Sequence, residues 1–297
     1  MLTRRTFLAS IPAAAAWAQT SPGKRIGFVD DTCDNFHSRV YLEAMRGPLK
    51  DRGYVVAGAT SLQHEKSRAW AAKNNLEYFE SPAALDKAVD VFAILAPSTP
   101  QTHEELCNLI LPFGKTTFVD KTFAPDAATA ERIFKKANQH KVALQTSSAL
   151  RYTAVQKSVS RDEIRHVVVW SPGGSYDEYA IHAVETAVSC LGADAQALMR
   201  RGTDAESQLL INFSGGRTAV VNVYIKRKTP YAASVTTAKE TRYIEVDTKP
   251  LFVDAAAAML DFFAAGKEQV DRRETMAVMR ILDASRNPAA LKGFVEV

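Results

Sequence analysis

Three side chains stand out by type and spacing. Lys121 lies in Asp120-Lys121-Thr122, directly after a short β-like run at residues 116–119, and the C-terminal edge of a parallel sheet is where open α/β proteins bind ligands. A lysine there meets a ligand as a compact charge with three donors. Glu178 and His182 are four residues apart within residues 176–191. On a helix both project from one face, where a carboxylate can fix the tautomer and orientation of an imidazole. A histidine titrates near neutral pH and can take or return a proton. Each also has an ordinary use, as an exposed strand-end lysine or a packing histidine. Glu178, His182 and Glu185 share one helix face, but three groups without a distant partner do not make a metal site, and none is expected.

The stretch from Val91 to Pro125 carries Lys121. It opens with Val91-Phe92-Ala93-Ile94-Leu95-Ala96 before Pro97, too short for a lone helix and right for a strand buried on both faces. Thr99-Pro100-Gln101-Thr102-His103 then predicts a helix start, with Thr99 as N-cap, Pro just inside, and Glu104 and Glu105 where the helix dipole favours acids. That helix is expected to end near Phe113-Gly114. Upstream, strands are expected at 25–29, 54–59 and 76–79 and helices at 37–52, 62–74 and 82–89; downstream, a helix at 126–140 and a strand at 142–147. This alternation implies a parallel sheet with helices on both faces.

From residue 165 the pattern changes. A strand at 166–170 and a helix at 176–191 precede β-like runs at 208–213, 218–225, 232–238 and 243–246. Ser214-Gly215-Gly216 between two of them is a hairpin signal. Helices at 251–265 and 274–284 close the chain. The expected class is α/β: a doubly wound parallel sheet over residues 22–150, then an α+β domain with a mostly antiparallel sheet over residues 151–297.

The N-terminus reads differently. Thr3-Arg4-Arg5-Thr6-Phe7-Leu8 is a twin-arginine pattern, and Ala16-Trp17-Ala18 ends the apolar stretch after it as an A-x-A cleavage site. Residues 1–18 are therefore expected to be a signal peptide that exports the folded chain to the periplasm. The alternative is an uncleaved anchor, although Phe7 to Ala18 is too short to span a bilayer and Pro12 interrupts it. The 297 residues carry 37 Lys+Arg and 33 Asp+Glu, and losing Arg4 and Arg5 leaves a net charge of about +2. With charge near balance and no basic stripe interleaved with aromatics, nothing argues for nucleic acid. Cys33, Cys107 and Cys190 are odd in number and lack metal-ligand spacing, so neither a disulfide framework nor zinc is indicated, though one bridge remains open. No later apolar run is long enough for a membrane span.

Three segments give the chain a resemblance to a known family. Ala93-Ile94-Leu95-Ala96-Pro97-Ser98-Thr99-Pro100-Gln101-Thr102-His103 resembles the fourth strand, proline-containing turn and histidine-bearing helix start of the glucose-fructose oxidoreductase and inositol dehydrogenase (Gfo/Idh/MocA) family. Asp120-Lys121-Thr122 is similar to its Glu-Lys-Pro motif with the lysine kept. Glu178-Tyr179-Ala180-Ile181-His182-Ala183-Val184-Glu185 is similar to its Asp-x-x-x-His-x-x-Asp helix, with Glu at both acidic places. The resemblance implies a Rossmann-like nucleotide-binding domain, NAD or NADP as cofactor, and a carbohydrate substrate, a sugar or polyol, from which hydride is taken. Lys121 would polarise the substrate hydroxyl and His182 would act as acid/base, with Glu178 beside it. Asp30, Asp31, Ala96, Pro97, Ser98, Thr99, His103, Asp120 and Lys121 would lie along the cofactor, and Arg151, Tyr179 and His182 toward the substrate. The C-terminal sheet would form a homo-oligomer.

A dinucleotide-binding turn needs glycines so that the backbone can approach the pyrophosphate at a helix N-terminus. Here the turn reads Gly27-Phe28-Val29-Asp30-Asp31-Thr32-Cys33-Asp34-Asn35-Phe36-His37. Gly27 is inside the strand, and three aspartates stand where phosphates would sit, disfavouring a dianion by up to roughly a few kcal/mol. Asp34 or Asn35 has an ordinary use as a helix N-cap. After Gly58, Ala59-Thr60-Ser61 offers no acid for a ribose, while Lys66 and Arg68 suit a 2′-phosphate. Two functions follow. One is an exported NAD(P)-dependent oxidoreductase of sugars or polyols; the other is a catalytically silent relative, a binding or assembly protein that keeps the fold without the nucleotide.

Overall fold

Six parallel strands form the first sheet of the computed structural model, which describes residues 24–297. The signal peptide expected at residues 1–18 lies outside them. β1 (Lys24–Asp30), β2 (Tyr54–Ser61), β3 (Glu77–Tyr78), β4 (Val91–Ile94), β5 (Thr117–Asp120) and β6 (Leu144–Ser147) stand in the order β3-β2-β1-β4-β5-β6. α1 (Phe36–Arg46), α2 (His64–Lys73), α3 (Pro82–Ala88), α4 (His103–Ile110) and α5 (Ala127–Gln139) connect them. The strand order reverses between β1 and β4, and the crevice beyond their C-terminal ends is where such a sheet receives a ligand. Every residue of β4 is buried, as its unbroken apolar run requires in a sheet covered on both faces. A Cβ on Gly27 would come within 3.1 Å of Leu85 and 3.2 Å of Phe92. That glycine serves the packing of α3 and β4 on β1, not a turn.

Two helices are shorter than their patterns suggest. α1 stops at Arg46 because Gly47 and Pro48 follow; the Gly47 N–H returns to the Glu43 carbonyl, and a 3-10 turn (Lys50–Arg52) leads to Gly53 at φ 73°. α4 starts at His103, after a 3-10 turn at Pro100–Thr102. Thr99 does not cap it, because the Thr99 hydroxyl donates to Asp31 at 2.8 Å.

After α6 (Ala154–Lys157) the second sheet begins. β7 (His166–Gly173), α7 (Tyr176–Leu191), β8 (Ala195–Gly202), β9 (Glu206–Phe213), β10 (Thr218–Ile225), β11 (Ala232–Thr236) and β12 (Thr241–Glu245) precede α8 (Leu251–Ala265), α9 (Arg272–Arg286) and β13 (Val295–Glu296). The sheet order is β12-β11-β7-β10-β9-β8-β13, with β7 and β10 parallel and the other pairs antiparallel. β8 and β13 were not expected. β8 carries Arg200 and Arg201 in an irregular pattern, and buried Arg200 is satisfied by Ser207, the Ser285 carbonyl and Asp204, which accept from it. Alternate residues such as Val167, Val169, Val221 and Ile211 are buried in one core with Ala180, Val184 and Val188 of α7 and Met279 and Leu282 of α9. Burying one such Val, Leu or Ile contributes about 1.5–3 kcal/mol.

α8 returns to the first sheet. Ala256, Met259, Leu260 and Phe263 share a core with Ile26, Tyr41 and Tyr54. Its first turn sets the Phe252 ring 5.2 Å from Phe36 and 6.0 Å from Tyr41. Among the described residues no helix is long and apolar enough to cross a membrane.

Candidate active site

Lys121 follows β5 directly, so the strand end delivers it to the crevice. It is only 5% exposed, and its Nζ donates to the Pro97 carbonyl at 3.2 Å. Burial lowers its pKa, opposed by the nearby Asp120 and Glu178. The Lys121–Thr122 peptide is cis. His182 comes from α7, with Nδ1 2.7 Å from Ser148 Oγ. The Ser148 backbone N–H in turn donates to Glu185 at 2.7 Å. Burial pushes the His182 pKa well down, and the nearby Lys121 ammonium pushes it further. The imidazole is therefore neutral and able to accept a proton. Tyr179 and Tyr231 meet it edge-on, at 5.6 and 6.3 Å between ring centroids.

Lys121, His182 and Tyr179 line one cleft of about 520 Å³, with His37 and Phe252 also in its walls. The volume is that of a small-molecule site, for which roughly 300–1,000 Å³ is usual. A larger groove of about 770 Å³ adjoins it across Pro97, Ser98 and Glu178. Its charged groups are engaged elsewhere: Asp126 caps α5, Asp283 accepts the Ala127 N–H, and Arg286 pairs with Asp177. Neither Lys121 nor His182 lines that groove.

Several expected residues are placed differently. Glu178 lines the cleft but does not hold His182; it accepts from Ser98 Oγ at 2.8 Å, tying α7 to the loop after β4. The imidazole is held by Ser148 instead. Arg151 does not face the cleft, because Glu185 and Glu274, both buried, draw its guanidinium into ion pairs of 2.7 Å each. His103 is fully buried, its two ring nitrogens 3.0 Å from the Ala96 and Phe123 carbonyls. Burial lowers its pKa. It stitches the β4 loop to the segment after Lys121 and also occupies Ala96, so neither is open to a cofactor. Asp120 is turned toward His37, with its Oδ2 2.5 Å from Nδ1. Pro97 and Ser98 line the cleft.

The turn after β1 does not fit a dinucleotide diphosphate. Asp30 is fully buried; its Oδ2 accepts from Asn35 Nδ2 at 2.8 Å and Ser38 Oγ at 2.9 Å, while Oδ1 has no partner. Burial pushes its pKa well up, with Asp31 adding to the shift. Asp31 accepts the Thr32 N–H through one oxygen and the Thr99 hydroxyl through the other. The second contact bridges the ends of β1 and β4, across the crevice a dinucleotide would enter. Asn35 caps α1 by accepting the Ser38 N–H. At the end of β2, Ser61 bonds Tyr78 and the Gln63 carbonyl, and Arg68 pairs with Glu80.

His37, Ser148, Tyr231 and Phe252 were not anticipated in the site. His37 was legible as a histidine in the first turn of α1, directly after the aspartates. Ser148, Tyr231 and Phe252 carry no signal in sequence: Tyr231 and Phe252 reach the cleft, and buried Ser148 reaches His182, only through tertiary packing.

Residues 35–148 match the model of an oxidoreductase family with an NAD-binding Rossmann fold (GFO_IDH_MocA), and the match starts just past the aspartate-rich turn. No curated protein sequence matches the chain. Among solved structures, UDP-N-acetylglucosamine 3-dehydrogenase GnnA from Acidithiobacillus ferrooxidans is 14% identical, covering 89% of this chain and 96% of its own, at a TM-score of 0.73. An apo scyllo-inositol dehydrogenase from Lactobacillus casei is 13% identical, covering 92% and 98%, at 0.76. GenD2 from gentamicin A biosynthesis, in complex with NAD, is 15% identical, covering 94% and 98%, at 0.76. These likenesses establish the fold. Residues 35–148 thus match the NAD-binding Rossmann-fold model of the Gfo/Idh/MocA oxidoreductase family, and the two-sheet architecture of the whole chain is that of these solved dehydrogenases.

Proposed function

We propose that the protein is an oxidoreductase acting on a hydroxyl of a sugar or polyol, with Lys121 and His182 handling charge and proton. The observation that carries this reading is the convergence of those two side chains on one cleft of substrate size. The Lys121 ammonium gives one hydrogen to the Pro97 carbonyl and has two left for a substrate oxygen. Neutral His182, held by Ser148, takes the hydroxyl proton. The UDP-sugar and inositol named for two structural relatives support a carbohydrate substrate. NAD or NADP is the hydride acceptor that the match of residues 35–148 to an NAD-binding family implies. The diphosphate turn must first open at the Asp31–Thr99 contact, and neither step above runs through the nucleotide.

A second reading is favoured by the side chains that fill that turn: a binding or assembly protein without nucleotide. The experiment that separates the two uses the chain purified without residues 1–18. The protein is denatured and the supernatant assayed for nicotinamide nucleotide, and the native protein is titrated with NAD(H) and NADP(H). Release, or saturable binding in the micromolar range, supports the oxidoreductase. No binding at millimolar nucleotide decides for the second reading. The proposal includes export directed by residues 1–18, checked with a reporter fusion. It also includes pairing of two copies through the second sheet, where exposed Tyr243 lies against Trp170, checked by sedimentation.

A further inference from the structure

Asp120 is nearly inaccessible, at 1% exposure, and works in two directions. Its Oδ1 accepts the backbone N–H of Lys121 at 2.8 Å, and its Oδ2 meets His37 Nδ1. The first turn of α1 thus sets His37 against the end of β5, beside Lys121. Phe36, Tyr41 and Phe252 surround the ring edge-on, at centroid distances of 5.9, 6.0 and 5.1 Å. With Nδ1 engaged, Nε2 has no hydrogen-bond partner among the described residues, and His37 lines the cleft. His182 repeats the arrangement: Nδ1 is held by Ser148, and Nε2 has no partner among the described residues. Two imidazoles, each anchored through Nδ1, therefore share a cleft with one ammonium.

We infer that His37 is a third ligand-contacting group of this cleft, with Asp120 as its positioning residue, and that with His182 it selects ligands bearing at least two hydroxyls. The inference rests on the sugar or polyol reading above. A carboxylate on Nδ1 fixes the tautomer that leaves Nε2 as an acceptor, and an acceptor of this kind takes a hydroxyl hydrogen that His182 and Lys121 do not use.

The test uses the chain from residue 19. Myo-inositol, D-glucose and cyclohexanol are titrated calorimetrically into wild type, His37→Gln, Asp120→Asn and His182→Asn. The ¹⁵N-histidine spectrum reports the tautomer of each ring, and melting temperature controls for fold. The expected result is myo-inositol or D-glucose binding that falls about tenfold or more in His37→Gln, with cyclohexanol nearly unaffected. An Nδ1–H signal at His37 that is lost in Asp120→Asn completes it. Polyol binding weakened by His182→Asn but not by folded His37→Gln overturns the inference and leaves the reading beneath it standing. So does a His37 ring protonated on Nε2 whatever stands at 120. If neither polyol binds wild type, the sugar or polyol reading itself fails, and the ligand role of His37 falls with it before any variant is made.

Discussion

Replacing Asp31 with alanine is expected to strengthen nucleotide binding. Asp31 Oδ2 accepts from Thr99 at 2.8 Å, so a diphosphate entering the β1–β4 crevice must break that contact and approach the carboxylate. At about 5 Å and an effective dielectric near 20, each pair of unit charges repels by about 3 kcal/mol. Screening over a Debye length of about 8 Å roughly halves this, leaving about 3 kcal/mol for a diphosphate with two charges. Losing the charge-assisted hydrogen bond to Thr99 costs about 1.5–3 kcal/mol more, part of which the bound phosphate recovers. The alanine also frees the Thr32 N–H, which Asp31 occupies, to donate to phosphate. Together these put the gain near 3 kcal/mol, on the order of a hundredfold in Kd. NADH fluorescence titration at low and high salt measures it, and the gain should shrink as salt rises. Asp34→Ala is the control, since that side chain is exposed, and about threefold or less is expected. An Asp31→Ala protein with unchanged melting temperature whose NADH affinity stays within about twofold of wild type would refute the reasoning: no diphosphate would then pass Asp31.

Three further outcomes follow from the buried charges. Asp30 has a raised folded pKa, so its contribution is complete below the unfolded value near 4. It is lost as pH rises toward the folded value, at about 1.4 kcal/mol per pH unit crossed. Asp30→Asn should therefore unfold at higher temperature than wild type at neutral pH and match it most closely at acid pH, by calorimetry across that range. Arg151→Ala leaves Glu185 without a cation in the interior and Glu274 with Arg161 alone, and a loss of about 3–5 kcal/mol in denaturant unfolding is expected; a loss below about 1 kcal/mol would mean that water reaches Glu185. Lys121 has a lowered folded pKa, so the unfolded chain holds its proton longer and this lysine costs stability until pH passes the unfolded value near 10.5. Lys121→Met should abolish turnover of any substrate found while leaving the chain as stable as wild type or more so at neutral pH, and a marked fall in melting temperature would assign Lys121 to the fold instead.

The alternation of strand and helix was legible because local patterns carry it. A strand buried on both faces is an unbroken apolar run, as at Val91–Ile94, and Asn35 and Asp126 announce their helices as caps. β8 is not legible because its arginines break the period, and Arg200 is tolerated through partners outside the strand. The apolar pattern of α1 continues past Gly47 and Pro48, but backbone geometry ends the helix at Arg46.

By itself the sequence determined which residues stand at strand ends and helix starts: Lys121 after β5, His182 on α7, and aspartates where a diphosphate turn would need glycine. Tertiary structure alone decided what each of them touches. Spacing on one helix suggested Glu178 as the partner of His182, yet Glu178 bonds Ser98, 80 positions away, and His182 bonds Ser148, 34 positions away. His37 and Asp120 meet across 83 positions. The physical reason is one of range. Propensity and capping act within a turn or two of the chain, whereas a buried polar group must be satisfied by whatever the fold brings within about 3 Å, and that partner is set by the packing of the two sheets.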